Sequence, residues 1–378
     1  MLLRKIGKRM AIMMACVLAF GALTACGGGK GDESGTGASF EPITSESDSS
    51  TDSTTQEAAE EETSAEVPEG MYLSEITGEP ISEEIKDQRP IAVMVDNEKM
   101  ALPHYGTADA DVVYEMMNST KNDRITRLML IYKDWGKIEQ VGSIRSTRPT
   151  NILLMAEWNA VLCHDGGPFY IQPYFENAWA PHFSGTFSRV NNGKKREFTE
   201  YIVSGDLDKN FKNAGYSTTY NEHANEGDHF NFTTYGKEIK LDEKYSRSYS
   251  AKNISLPFKH NGSQLKYNDE TKEYEYYEYG ARHEDAETDA PLSVKNVILQ
   301  DVTFSQLDDN GYLIYNCIGS GNGWYITNGV AKDITWSKTS ETDVTRFYDE
   351  NGEELEINTG KTYIGLIPDD TWSNVIFE

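Results

Sequence analysis

Arg89-Pro90-Ile91-Ala92-Val93-Met94-Val95-Asp96-Asn97 is the stretch on which the fold turns. Five apolar residues in succession, closed by a turn-forming Asp-Asn, read as a strand buried on both faces. Such a strand needs neighbours, and the next segments supply them. Residues 109–115 and 125–132 give two more strands, and a short fourth precedes Gly142-Ser143-Ile144-Arg145-Ser146. Residues 149–158 read as a helix, with Pro149 at the first helical position, where a missing N–H costs nothing. Residues 159–164 form a fifth strand that ends at Asp165-Gly166-Gly167. Strands interleaved with a helix predict a mixed α/β N-terminal part over 71–250. Its second half, 170–250, is less periodic, with 198–214 partly helical.

From 251 to 378 the pattern is strands. Asp309-Asn310-Gly311, Asn328-Gly329 and Asn351-Gly352 mark tight turns between them. Gly319-Ser320-Gly321-Asn322-Gly323 also reads as a turn, because no helix follows to make it a phosphate loop. The Tyr267, Tyr274, Tyr276, Tyr277 and Tyr279 cluster reads as either hairpin packing or a sugar-stacking surface. The whole is α+β, with a β-rich C-terminal part.

The N-terminus is an address. Arg4, Lys5, Lys8 and Arg9 precede a short apolar run over 11–23, ending in Leu23-Thr24-Ala25-Cys26-Gly27. That is a signal peptide over 1–26. Small residues before a cysteine resemble a bacterial lipobox, which implies cleavage before Cys26 and lipid on its thiol. Residues 27–70 hold twelve carboxylates and one lysine among Ser, Thr, Gly and Ala. Such a segment buries too little apolar surface to offset its ordering entropy, so it reads as a disordered acidic tether.

The chain has 378 residues and a formal charge of −26; setting aside the signal and the tether leaves −19 for the rest. That acidity excludes a general nucleic-acid binder, which needs a basic face for phosphates. No apolar run reaches the length of a spanning helix. The expected location is the outer face of a bacterial cytoplasmic membrane, held there by lipid on Cys26. Cys163 and Cys317 remain as a possible disulfide or two buried thiols. Cys163 and His164 are strand neighbours facing opposite ways, so they do not form a dyad.

These landmarks resemble the YerB-like family of bacterial surface lipoproteins. The similarity lies in 89–97, Ala108-Asp109-Ala110-Asp111-Val112-Val113-Tyr114-Glu115, Ile125-Thr126-Arg127-Leu128, residues 141–146 and His164-Asp165-Gly166-Gly167. It continues in Trp336-Ser337-Lys338 and in residues 360–368. The resemblance implies two domains, a three-layer arrangement of two sheets and helices, and no known reaction. The family pattern carries a histidine where Phe198 stands here. That implies weaker or absent activity if the histidine is catalytic in relatives.

Arg145-Ser146-Thr147-Arg148 places two cations at the predicted start of a helix, where the helix dipole disfavours them. Free amides, hydroxyls and guanidiniums together suit an anion. Arg124 and Arg127 lie on the third strand and could join them. The candidate ligand-binding set is Arg124, Arg127, Arg145, Ser146, Arg148 and His164. The competing reading is internal pairing with Asp96, Glu115 and Asp165, since an isolated buried charge is costly. His164, Glu115 and Asp96 are the weak catalytic candidates for an envelope hydrolase. No cofactor and no metal are expected: His223 and His229, six apart, lack the four-residue spacing of two ligands on one helix face. The leading reading is a non-enzymatic binding protein for an anionic envelope component or a protein partner. The alternatives are the hydrolase and a structural scaffold.

Overall fold

The computed structural model describes residues 65–378. The signal peptide, Cys26 and the tether up to residue 64 lie outside the described residues. In chain order the main elements are strands β1 (Ile91–Asp96), β2 (Val112–Met117), β3 (Thr126–Tyr132) and β4 (Gln140–Gly142), then helix α1 (Pro149–Glu157). Next come β5 (Val161–His164), β6 (His182–Ser184), β7 (Ser188–Arg189), β8 (Glu200–Val203) and helix α2 (Asp206–Ala214). The C-terminal part follows with β9 (Tyr249–Ser250), β10 (Asn253–Ser255), β11 (Gln264–Asn268), β12 (Glu273–Glu278) and β13 (Asn296–Val302). It ends with β14 (Gly319–Thr327), β15 (Val330–Lys338), β16 (Arg346–Tyr348), β17 (Thr362–Pro368) and β18 (Ile376–Phe377).

One sheet of eleven strands organises the molecule. Its order is β9-β15-β14-β13-β17-β2-β3-β1-β5-β6, with β16 also on β15. β1 runs antiparallel to β3, from Ile91 opposite Tyr132 to Asp96 opposite Arg127, and parallel to β5. β17 inserts parallel between β13 and β2. The sheet therefore runs straight across the 250/251 sequence boundary. A second sheet pairs β18, β10, β11 and β12 in that order, with Ala281–Arg282 and Ser293–Val294 added on β12. Strands hold 37% of the described residues and helices 15%, so this α+β molecule is mostly β.

The opening run is apolar without interruption because both faces of the large sheet are covered. Ile91, Val93 and Val95 point into a core with Val113, Leu128 and Leu130. Ile254, Leu265, Tyr274 and Tyr276 from the second sheet and Leu207 and Phe211 from α2 close that core. Ala92 and Met94 point the other way, to Tyr114, Met129 and Ile131, where Ile152, Leu154 and Met155 of α1 cover them. Full burial of a Val, Leu or Ile side chain contributes about 1.5–3 kcal/mol. α1 is buried along its whole length, and Asn151 Oδ1 accepts from the Arg148 amide at 2.9 Å to close its first turn.

Two expectations need adjustment. Residues 198–214 split into a single turn at Arg196–Phe198, strand β8 and α2. The Gly319–Gly323 segment is not a turn but the first half of β14, paired with β15 from Gly319–Lys338 onward. Its glycines answer to crowding. A Cβ on Gly321 would lie 2.7 Å from Trp336 Nε1 and 2.9 Å from the Asp301 carbonyl oxygen. Gly321→Ala is expected to cost about 1–3 kcal/mol by overpacking, read as a drop in urea midpoint. An unchanged midpoint would mean Trp336 moves freely.

The tyrosine cluster belongs to packing. Tyr274 and Tyr276 are core residues, and Tyr267 faces Tyr274 across the hairpin with ring centroids 5.2 Å apart. Cys163 and Cys317 are both free and buried.

Candidate functional site

Arg127 sits near the start of β3 and shares the sheet face of Met129 and Ile131 by strand alternation. That is the face covered by α1, so the Arg127 side chain points toward the helix start. There Arg148 is the N-cap residue, and both side chains are almost wholly buried. Arg127 Nη1 donates to Asn118 Oδ1 at 3.2 Å, to the Ser146 carbonyl at 2.7 Å and to Ser146 Oγ at 3.0 Å. Arg148 donates from Nε to the Asn118 carbonyl at 3.0 Å, and from Nη1 to the Thr147 carbonyl at 2.8 Å and Ser146 Oγ at 3.3 Å. Its guanidinium also lies 4.7 Å from the centre of the Tyr312 ring.

The two guanidiniums thus share one serine hydroxyl and one asparagine. Among the described residues no carboxylate oxygen lies within 4 Å of either. Burial, reinforced by the neighbouring Arg127 charge, pulls Arg148 down to about 9. Burial also lowers Arg127, against the pull of Asp96. Two adjacent cations at the positive end of a helix, held by neutral acceptors, form an electrostatically unbalanced cluster.

The other predicted residues separate. Arg124 turns outward to a two-pronged pair with Asp370, at 2.7 and 2.5 Å. Arg145 is paired internally: its Nε lies 2.6 Å from Asp96 Oδ2, and its guanidinium stacks on buried Phe198 at 5.4 Å. Glu115 does not meet an arginine. Its Oε1 accepts from Thr126 Oγ1, Asn261 Nδ2 and Asn97 Nδ2, and its Oε2 from the Tyr276 and Tyr363 hydroxyls. The expected arginine–carboxylate network therefore holds for Arg145 but not for Arg127, Arg148 or Glu115.

His164 sits at the end of β5, with Nδ1 2.7 Å from the Gly166 carbonyl and Nε2 2.9 Å from His182 Nδ1. Its ring stacks near Phe175. Burial holds its pKa down to about 4. Among the described residues neither ring nitrogen has a carboxylate or a hydroxyl as partner. The Gly166-Gly167 backbone does approach something closely, as its glycines suggest. Thr147 N donates to the Gly166 carbonyl, and a Cβ on Gly167 would fall 3.0 Å from the Thr147 carbonyl oxygen. The loop serves to brace the Ser146–Arg148 segment.

Beside this segment, Arg145, Arg189, Lys195 and Arg196 line an open basin of about 460 Å³ with Asp165 and Glu197. Arg189 is tied to Asp165 at 2.8 Å and Glu200 at 2.5 Å. Of the basin's cations only Arg145 is in the predicted set; Arg189, Lys195 and Arg196 are not. Its sequence signal is the basic run Lys194-Lys195-Arg196 in an acidic chain. Asn118 and Tyr312 carry no signal, since neither type stands out where it occurs.

Comparison with known proteins identifies the family and the fold. The N-terminal domain of a family described as protein of unknown function (DUF3048) matches residues 76–217, and its C-terminal domain matches residues 254–364. A Bacillus subtilis (strain 168) protein named as a lipoprotein, YerB, is 23% identical over 311 residues, spanning 80% of this chain and 85% of YerB. The crystal structure of YerB from Bacillus subtilis matches with a TM-score of 0.67 at 21% identity, over 79% of this chain and 97% of that chain. At that identity the structural likeness speaks for the fold. The two matched segments supply most of the eleven-stranded sheet, and this chain belongs to the two-domain DUF3048 family in its YerB-like form.

Proposed function

We propose that this chain is a lipid-anchored extracytoplasmic binding protein that takes an anionic group of an envelope polymer at Arg127, Arg148 and Ser146. One observation carries the reading: two adjacent buried guanidiniums with no carboxylate within 4 Å among the described residues. A phosphate or carboxylate between them would supply the missing charge through charge-assisted hydrogen bonds. Ser146 Oγ already bridges the pair and marks the place. In the basin by Arg145, Lys195 and Arg196 are further cations, suiting a ligand with repeated charges such as a wall polymer or a sugar phosphate.

The anchoring half rests on the sequence before Cys26 and on the lipoprotein name carried by YerB. Cys26 would hold the protein on the outer face of the bacterial cytoplasmic membrane, with the acidic tether keeping the folded part off anionic lipid. Sheet packing on both faces also supports a three-layer reading of the fold. The binding reading is preferred to a hydrolase because His164 meets a carbonyl and a second histidine, not an acid or a nucleophile.

The test is a thermal-shift panel of muropeptides, teichoic-acid fragments and sugar phosphates against the full-length chain. A ligand at 100 times its Kd should stabilise by about 2.7 kcal/mol. Arg148→Gln should lower affinity about 10- to 100-fold, the worth of a hydrogen bond to a charged group. A shift that persists unchanged in Arg148→Gln would place the ligand elsewhere. No shift across the panel would turn the search to a protein partner.

A further inference from the structure

His104, Glu278 and His283 form a second buried cluster, outside the arginine site. One donor atom from each lies within 4.8 Å of the other two, and all three residues are buried. His104 comes from the loop after β1, whereas Glu278 ends β12 and His283 follows it. The loops are tied together, because the Ala286 amide donates to the His104 carbonyl at 2.8 Å. The two imidazoles stand 5.1 Å apart, centre to centre.

Three observations point to a cation there. First, His104 has no exposed surface, and neither ring nitrogen makes a hydrogen bond of normal geometry, although the Asp96 backbone offers one of them an acceptor. A buried imidazole whose other nitrogen is idle is costly unless something occupies it. Glu278 Oε2 is idle as well.

Second, His283 is already oriented: its Nε2 lies 3.0 Å from Thr107 Oγ1 and its Nδ1 lies 2.8 Å from Glu278 Oε1. Thr107 Oγ1 also lies 3.4 Å from Asp285 Oδ2. A hydroxyl and a carboxylate behind one ring nitrogen are the kind of outer support that metal-bound histidines use, while the other nitrogen faces the cluster.

Third, Glu278 is buried, and among the described residues no Lys or Arg nitrogen lies within 4 Å of it, so a cation in the cluster would be its charge partner. We infer that His104, Glu278 and His283 bind one first-row divalent cation, Zn²⁺ by donor chemistry, which staples the 71–250 segment to the second sheet. Two imidazole nitrogens and one carboxylate oxygen are ordinary Zn²⁺ ligands, at about 2.0–2.2 Å each. Ligand atoms around such an ion stand about 3–4 Å apart, so the cluster needs only small side-chain adjustment. The three ligands are scattered over about 180 residues of sequence, and no spacing rule could have found them.

The full-length chain, stripped with chelator and desalted, is titrated with Zn²⁺, and bound metal is counted by elemental analysis. The expected result is one Zn²⁺ per chain, a raised Tm, and tenfold or greater loss of bound metal in His104→Gln and His283→Gln. His223→Ala, a histidine away from the cluster, should keep the full complement. Should the ligand variants fail to fold, the Co²⁺-loaded native chain decides. Visible bands typical of mixed nitrogen and oxygen ligation at one equivalent support the site. Wild-type protein that holds less than a tenth of an equivalent with no Tm change overturns it. So does metal retained in full by folded His104→Gln and His283→Gln.

Discussion

Replacing Lys338 by methionine should cost the fold about 3–5 kcal/mol, the usual penalty for leaving one member of a buried ion pair alone. Glu157 is the last residue of α1, where the helix dipole already disfavours a negative charge. It is fully buried, and so is Lys338, whose ammonium lies 3.0 Å from Glu157 Oε1. His229 Nε2 at 3.1 Å and the Thr345 amide and hydroxyl, at 3.1 and 2.8 Å, complete its shell. Burial alone would raise the Glu157 pKa, but Lys338 and His229 overcome it and hold the group at about 2. A depressed carboxylate contributes stability above its unfolded pKa of about 4.5, and that contribution is lost as pH falls toward 2. The deficit of Lys338→Met should therefore be full at pH 7 and shrink between pH 4.5 and 2. Thermal denaturation across that range checks both points, with a Tm drop on the order of 10 °C expected at neutral pH. A drop under about 2 °C would mean that Glu157 is not charged in the native protein.

Glu115→Leu should be comparably damaging, by about 3–5 kcal/mol, for a different reason. Here the carboxylate has no cationic partner. It gathers donors from β2's neighbours and from the second sheet: Thr126, Asn97, Asn261, Tyr276 and Tyr363. Removing the acceptor strands several buried donors, each costing about 1–3 kcal/mol, with some relief from repacking. Glu115→Gln keeps one acceptor oxygen and should cost less than half as much. Urea unfolding of the two variants separates the cases. Equal losses would show that volume, not hydrogen bonding, is what Glu115 supplies.

Much of the fold is readable from local pattern. The 91–95 run announces a strand covered on both faces, Pro149 announces the start of α1, and Asn328-Gly329 announces the β14–β15 hairpin, with both residues at positive φ. What local pattern does not carry is pairing at long range. Nothing near 362 says that β17 will slot between β13 and β2. The Gly319–Gly323 segment misleads because glycine serves crowding as often as turning, and the crowding side chain, Trp336, comes from the facing strand.

The site follows the same rule. Arg127 and Arg148 are visible as charges where apolar or capping residues belong, so their burial is legible. Their partners are not. Arg124 looks equivalent to Arg127 in sequence, yet it finds Asp370 on the surface, 246 positions away. Glu115 and Arg127 look made for each other and instead satisfy themselves with neutral groups. His164, a weak catalytic candidate, has both nitrogens taken by His182 and the Gly166 carbonyl. Each miss is a matter of which distant segment packs alongside.

The central claim is that Arg127 and Arg148 are held for an anion rather than for the fold. It is tested most directly by measuring stability with and without ligand in wild type and Arg148→Gln, full-length, side by side. Without ligand the variant should lie within about 1 kcal/mol of wild type, since it removes one of two mutually repelling cations as well as hydrogen bonds. With a saturating phosphate-bearing envelope fragment, wild type should gain about 2.7 kcal/mol and the variant little. The contrary result would be a variant several kcal/mol less stable without ligand, beside a wild type that responds to no anion. Those guanidiniums would then be struts of the fold.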